Sequence, residues 1–270
     1  MSEDHTIIHG DCLSEMRKMA SETVDLVITD PPFNIGYKYD SYEDNLSKED
    51  YIKWCESWLT ECIRLMKDGA SLYLINYPEN NAYILPFLEK NLTFKRWITW
   101  HYPTNIGQSK TNYTRSQHSI LFCVKGDSPK TFNSKDIAVP YCNPNDKRIK
   151  KLVESGSMGK TPYDVFVVNR VKNVSKEKTA HPCQIPIDLI SVFVKASSNP
   201  NDVVLDPFGG SFSTAKTCSL LGRKSISIEM DKKYYEIGRE YFDNALPLFN
   251  EHSNKSLDEL SRLDQELGLL

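Results

Sequence analysis

The chain has 270 residues, 40% of them hydrophobic, and a formal net charge of −3. That length suits one large α/β domain, or one domain with an insertion, and the apolar content excludes disorder as the default state. No apolar run approaches the ~18 residues of a membrane span, no cleavable leader is visible, and the overall charge announces no polyanion partner, so the expectation is a soluble, cytoplasmic protein.

In chain order, Ile7 to Asp11 reads as a short strand ending in a turn, and Leu13 to Met19 has helical apolar spacing. Val24 to Thr29 is a β-branched strand that stops at Asp30-Pro31-Pro32, because two successive prolines cannot extend a central strand. A polar, aromatic loop follows from Asn34 to about Leu46, and Lys48 to Met66 is an amphipathic helix with Ser47 and Asp50 as its capping box. Ala70 to Asn76 is a buried strand, Tyr83 to Lys90 a helix, Phe94 to Trp100 a strand, and Ser119 to Lys125 a strand closed by Gly126. Periodicity then fades until Ile185 to Ala196, a helix. Val203 to Asp206, Ser213 to Leu221, Ser225 to Glu229 and Tyr234 to Asn244 continue as strand, helix, strand, helix. Leu257, Leu260, Leu263 and Leu267 mark a tail helix, capped by Ser256 and Glu259, that packs on its own domain or docks elsewhere. Alternating strands and helices predict an α/β fold, a doubly wound and mainly parallel sheet covered on both faces. The division is 1–126 with 179–250 as the catalytic and cofactor-binding domain, 127–178 as an inserted segment, and 251–270 as a helical tail.

The seven cysteines are scattered singly without a Cys-x-x-Cys pair, which fits reduced thiols and gives no metal site. Local charge is more telling. The stretch 127–178 holds eleven basic and six acidic residues, a concentrated positive face of the kind phosphate contacts require.

Asp206-Pro207-Phe208-Gly209-Gly210-Ser211 lies between a strand and a helix, where glycines let a ligand approach the backbone and expose the helix N-terminus. Glu229 ends the next strand, placed as an acid that grips a ribose. The glycine spacing does not match a dinucleotide fingerprint. Asp30-Pro31-Pro32-Phe33 is more specific. An exocyclic amine of adenine or cytosine is a weak nucleophile whose lone pair is delocalised into the ring. Asp30 and the Pro31 carbonyl supply two acceptors for its N–H groups, proline brings no competing N–H, and Phe33 stacks on a base turned out of the duplex.

These segments together resemble the amino-methyltransferases of bacterial restriction–modification systems, in the permuted β arrangement and of the adenine-N6 type. There the catalytic motif comes first, the basic target-recognition segment second and the glycine loop last; the resemblance covers roughly residues 5–245. It implies a site-specific methyltransferase with a Rossmann-like, S-adenosylmethionine-dependent fold, moving a methyl group from S-adenosyl-L-methionine to adenine N6 in double-stranded DNA. It gives Asp30, Pro31, Pro32 and Phe33 the catalytic role. Asp11 would take the cofactor's adenine amine beside Cys12, Gln184 in His181-Pro182-Cys183-Gln184 would lie near its methionine part, and Glu229 would hold its ribose. Asp30, Asp206, Phe208, Gly209, Gly210 and Ser211 would complete the cofactor site. Lys110, Arg115, Lys147, Arg148, Lys150 and Lys151 are the candidate DNA contacts, and Tyr37, Tyr39 and Tyr42 would close over the base. The same resemblance leaves room for a homodimer and for a cognate restriction endonuclease reading the same site.

Many relatives carry a Glu before the apolar strand that ends near Phe122. Arg115-Ser116-Gln117-His118 has no acid, so no catalytic role is carried over to His118, which reads as structural. Pro182-Cys183 spells the nucleophile motif of cytosine-C5 methyltransferases, but here it precedes the glycine loop, and Cys183 reads as an ordinary flanking residue. The alternatives are cytosine N4 as the target, a non-catalytic S-adenosylmethionine-binding DNA protein, and a nicotinamide oxidoreductase. The intact Asp30 argues against the second and the glycine spacing against the third.

Overall fold

The computed structural model describes residues 4–36, 44–104, 107, 109–171, 179 and 184–243. Within them eight strands occur in chain order: β1 (His5–His9), β2 (Val24–Thr29), β3 (Met66–Asn76), β4 (Thr93–His101), β5 (Gln117–Val124), β6 (Val165–Val167), β7 (Val203–Asp206) and β8 (Lys224–Glu229). The helices are α1 (Cys12–Met16), α2 (Lys48–Leu65), α3 (Pro78–Asn91), α4 (Lys147–Glu154), α5 (Ile187–Ser197), α6 (Ser213–Leu220) and α7 (Lys232–Asp243). Tyr37, Tyr39, Tyr42, His181 to Cys183 and the tail from 251 lie outside the described residues. Among the described residues no helix is long and apolar enough to cross a membrane.

The strands form one sheet in the order β1-β8-β7-β2-β3-β5-β4-β6. Pairing is parallel from β1 to β3 and between β4 and β6, and antiparallel on both sides of β5. Among the described residues the connection from β4 to β5 contains no helix to carry a parallel crossover; β5 returns antiparallel, and the expected mainly parallel sheet is mixed on that side.

Alternation along the strands explains the two buried faces. Leu72, Leu74, Val27 and Leu205 pack with Trp58, Leu59 and Leu65 of α2 and with α1 and α3. Their neighbours Tyr73, Ile75, Ile28 and Val204 face the other way, against Leu189, Ile190 and Phe193 of α5. The Tyr73 ring stacks between Phe122 at 4.7 Å and Phe193 at 4.5 Å.

Helix α2 starts as expected: Ser47 Oγ accepts from Asp50 N at 3.1 Å and donates to Asp50 Oδ2 at 2.8 Å. Helix α3 starts at Pro78, five residues before the expected Tyr83, because proline suits the first helical position and lacks an N–H to leave unpaired. The basic stretch 127–178 is not detached from the sheet. Asn133 N donates to Ala196 O, its side chain donates to Lys195 O and Ser198 O, and β6 pairs with Thr99 to His101 of β4. Helix α4 within it has no buried residue.

Phe193→Ala should leave a cavity between Tyr73 and Phe166 and lower stability by about 3–5 kcal/mol, measured as a shift of the urea midpoint at unchanged slope.

Candidate active site

From β2 the chain crosses to β3 on one side, and from β7 it crosses to β8 on the other, so the order reverses between β2 and β7. At such a switch point the loops beyond the carboxyl ends of two adjacent strands part and leave a crevice. A cavity of about 340 Å³ lies there, bounded by Asp30 after β2, Asp206 ending β7 and Glu229 ending β8. It collects Asp11, Cys12, Pro31, Pro32, Phe33, Phe208, Gly209, Gly210 and Ser211 as well. Gln184 does not line it, although Ile185 and Ile190 do; Gln184 is buried and its Oε1 accepts from Thr179 N at 2.8 Å.

The loop after β2 is held by three polar side chains. Tyr51 Oη donates to Pro32 O at 2.7 Å, Asn76 Nδ2 donates to Tyr51 Oη at 2.9 Å, and Asn80 Nδ2 donates to Phe33 O at 2.8 Å. Asp44 carries the return of the loop by accepting from Asn34 N at 2.9 Å and Ile35 N at 3.1 Å, with Asn34 in the left-handed region at φ 57°. The carbonyls of Pro32 and Phe33 are thereby occupied, whereas that of Pro31 accepts from no described residue. Asp30 Oδ1 is sequestered from solvent without a hydrogen-bond partner. Burial, then the neighbouring Asp206 carboxylate, hold the Asp30 carboxyl well above its ordinary range.

The glycine loop lines the cavity through Gly209 and Gly210. A side chain on Gly209 would strike the Phe212 ring, so that glycine also makes room for a buried phenylalanine. Gly210 adopts φ 52° and turns its N–H onto Glu229 Oε2 at 2.8 Å. Glu229 Oε1 also accepts from Asp231 N at 2.7 Å, and burial raises its pKa to about 7 against these two stabilising bonds. Burial likewise raises Asp206 to about 6, opposed by hydrogen bonds from Thr214 and Phe208 N. Asp11 caps α1, accepting from Ser14 N at 2.9 Å, and burial lifts the Cys12 thiol to about 12, which leaves it protonated and inert.

Residues 24–240 match the N6/N4 family described as DNA methylase. The chain belongs to the N6/N4 DNA methylases. The DNA adenine methyltransferase YhdJ of Escherichia coli strain K12 is 35% identical over 266 residues, spanning 97% of this chain and 88% of its own. The Type II methyltransferase M.HpaI of Haemophilus parainfluenzae is 33% identical over 261 residues, 95% of this chain and 78% of its own. Among solved structures, the cytosine-N4-specific PvuII DNA methyltransferase superposes with a TM-score of 0.71 at 19% identity, covering 95% of each chain. The M1.HpyAVI–SAM complex gives 0.64 at 22%, covering 88% of this chain and 98% of that one, so these two share the fold.

The methylase is S-adenosylmethionine-dependent, and the cavity suits that donor. Phe208 forms an aromatic wall with Trp54 at 5.5 Å and Trp58 at 5.1 Å, fit to cover a purine. Glu229, Asp11 and Asp30 all line the cavity, and Asp30 Oδ1 has no hydrogen-bond partner among the described residues. Tyr51 and Trp54 were not singled out in the sequence because their spacing on α2 reads as ordinary core; only Tyr51 being polar at a core position could have marked it.

The candidate DNA contacts divide. Lys147, Lys150 and Lys151 are exposed on α4 and Lys110 is exposed in its loop. Arg148 pairs with Asp146 at 3.2 Å. Arg115 forks onto Glu79 at 2.8 and 3.0 Å and lies over the Tyr77 ring at 4.0 Å.

Glu229 takes up its extra protons in the folded state, so its contribution to stability is whole at low pH and is lost as pH rises from about 4.5 through about 7. Buried His118 titrates in the opposite sense, its pKa lowered to about 3, so the clean measure is wild type minus Glu229→Gln. That difference in unfolding free energy should fall by roughly 2–3 kcal/mol between about pH 4 and about pH 8 in urea titrations of ligand-free protein.

Proposed function

We propose that this DNA methylase acts on adenine N6 in duplex DNA, on a base turned out of the helix, and belongs to the permuted β arrangement. The observation that carries the reading is the pair of open acceptors at one point, Asp30 Oδ1 and the Pro31 carbonyl. An amine held by two such acceptors is drawn towards tetrahedral geometry with its lone pair free. S-adenosylmethionine supplies an electrophilic methyl group; the N–CH₃ bond forms as the S–CH₃ bond breaks, and one N–H proton must leave. The raised pKa of Asp30 suits it to take that proton. Phe33 offers its ring to the base. The Asp at the head of the motif and the 35% identity to a named adenine methyltransferase support adenine. Cytosine N4 is the second reading, since its amine suits the same two acceptors.

Exposed lysines on α4 and at 110 support the stretch 127–178 and its neighbour loop as the duplex-binding face. The relatives named Type II methyltransferases support a place beside a cognate endonuclease.

Three tests follow from this reading. Modification-sensitive sequencing of DNA from cells expressing the protein should report N6-methyladenine at one short site, and methylation on cytosine would overturn the adenine assignment. In the same cells Asp30→Ala should abolish the signal while DNA binding in a gel-shift assay is retained. Replacing Lys147, Lys150 and Lys151 together by Gln should reduce the slope of log Kd against log salt by about 2–3, whereas Arg115→Gln, already paired to Glu79, should change it by less than about 0.5.

A further inference from the structure

Beside Phe33 lies a cluster of rings to which the proposed methyl transfer assigns no role. His118, at the start of β5, is 8% exposed. Four rings surround its imidazole, Phe33 at 5.1 Å, Tyr77 at 5.3 Å, Trp100 at 5.0 Å and Tyr102 at 5.1 Å, the contacts all edge-on. The other polar groups of this box are satisfied. Trp100 Nε1 donates to Val168 O at 2.8 Å, Tyr102 Oη donates to Gln117 O at 3.2 Å, and Ser119, next in the chain, is bound to Asn81 at 2.8 Å. Neither nitrogen of His118 has a hydrogen-bond partner among the described residues, and Nδ1 is sequestered from solvent.

A purely structural aromatic would do the same packing without the cost of burying Nδ1 unpaired, which runs to about 1–3 kcal/mol. The charge state of the ring is fixed. Burial lowers the His118 pKa to about 3, and Arg170, over the Tyr102 ring at 4.7 Å, and Arg115, over Tyr77, push in the same direction. No carboxylate contributes to the shift, Glu79 being turned onto Arg115. A neutral imidazole carries one N–H donor and one acceptor.

We propose that His118 is a specificity-determining residue that donates its ring N–H to the edge of the target base, resting on the reading of Phe33 as the ring on which that base stacks. The chemistry selects the partner atom. With both amine hydrogens taken by Asp30 and the Pro31 carbonyl, the acceptors left beside the amine of adenine are N1, bonded to the amine-bearing carbon, and N7, on the amine's other side across C5, and each calls for a donor; N3 of cytosine is the equivalent of N1. Guanine N1 and thymine N3 carry an N–H beside a carbonyl where adenine has its amine, so a donor aimed at that edge opposes them, whereas guanine N7 accepts as adenine N7 does. Arg115, paired to Glu79, lies over the Tyr77 ring of the box.

The test is a double-mutant cycle between enzyme and substrate, run on a duplex containing the site found by sequencing. His118→Phe keeps the packing and removes the nitrogens; the substrates carry adenine, 1-deazaadenine or 7-deazaadenine at the target. Each single change should lower kcat/KM by about 10- to 100-fold, and for one of the two analogues the combined loss should be no larger than either alone. His118→Asn, which retains an N–H donor, should recover part of the activity on adenine and none on that analogue. Wild-type activity in His118→Phe, or losses that multiply for both analogues, would overturn the proposal. Should His118→Phe not fold, judged by thermal melting, the His118→Asn cycle decides by the same criterion. Product analysis of the wild type reports adenine or cytosine independently; were it cytosine, 3-deazacytosine takes the place of the purine analogues.

Discussion

Asp30 and Asp206 end two neighbouring parallel strands and face the same closed volume, where burial and mutual repulsion act together on Asp30. Two carboxylates in that position resist ionising together. The remaining geometry answers this constraint. Asp206 is eased by Thr214 and by Phe208 N, whereas Asp30 receives no such help and keeps Oδ1 bare. A buried carboxyl oxygen without a partner costs free energy that an N–H donor or a positive charge placed beside it would offset.

Rigidity around the motif has a different origin. Tyr51, Asn76 and Asn80 come from α2, the end of β3 and the first turn of α3, and each places a donor on the loop or on another member of the trio. The carbonyls of Pro32 and Phe33 are bound, and that of Pro31 accepts from no described residue. Hydrogen bonding here sorts three successive carbonyls into two anchors and one free acceptor. The aromatic wall of Trp54, Trp58 and Phe208 does the corresponding job on the cofactor side by packing alone.

Most of the architecture was legible because burial on both faces imposes alternation that shows directly in runs such as Leu72 to Ile75 and Val203 to Asp206. The antiparallel turn into β5 was not, since pairing direction depends on what the connection contains and the stretch after His101 carries no helical signal. Strand β6 was missed for a related reason: three residues with two side chains exposed give no period to read. In the site, residues at strand ends were visible through sharp transitions from apolar to Asp, Gly and Pro. Tyr51 was hidden because it sits at a core-facing position in a regular helix, where an aromatic residue attracts no notice, and His118, visible in the sequence, reads there as structural because no acid accompanies it. Gly209 was noticed as a cavity-lining glycine, but its packing role was not visible, since the Phe212 ring that fills the space of its missing side chain is brought there by the fold.

The attachment of β6 bears on how a new DNA specificity could arise in such a fold. Val165 to Val167 form the outermost strand, bonded to β4 along Thr99 to His101, the same strand that carries Trp100. The basic stretch is therefore not a freely interchangeable cassette. An exchange that altered its binding surface would also have to restore a strand in register at the sheet's margin, or leave β4 with a bare edge next to the ring box and open to pairing with other chains. The part of the stretch with fewer ties to the sheet is α4 and its flanking turns, between Asn133, which bonds to the end of α5, and Val165, where the chain rejoins the sheet.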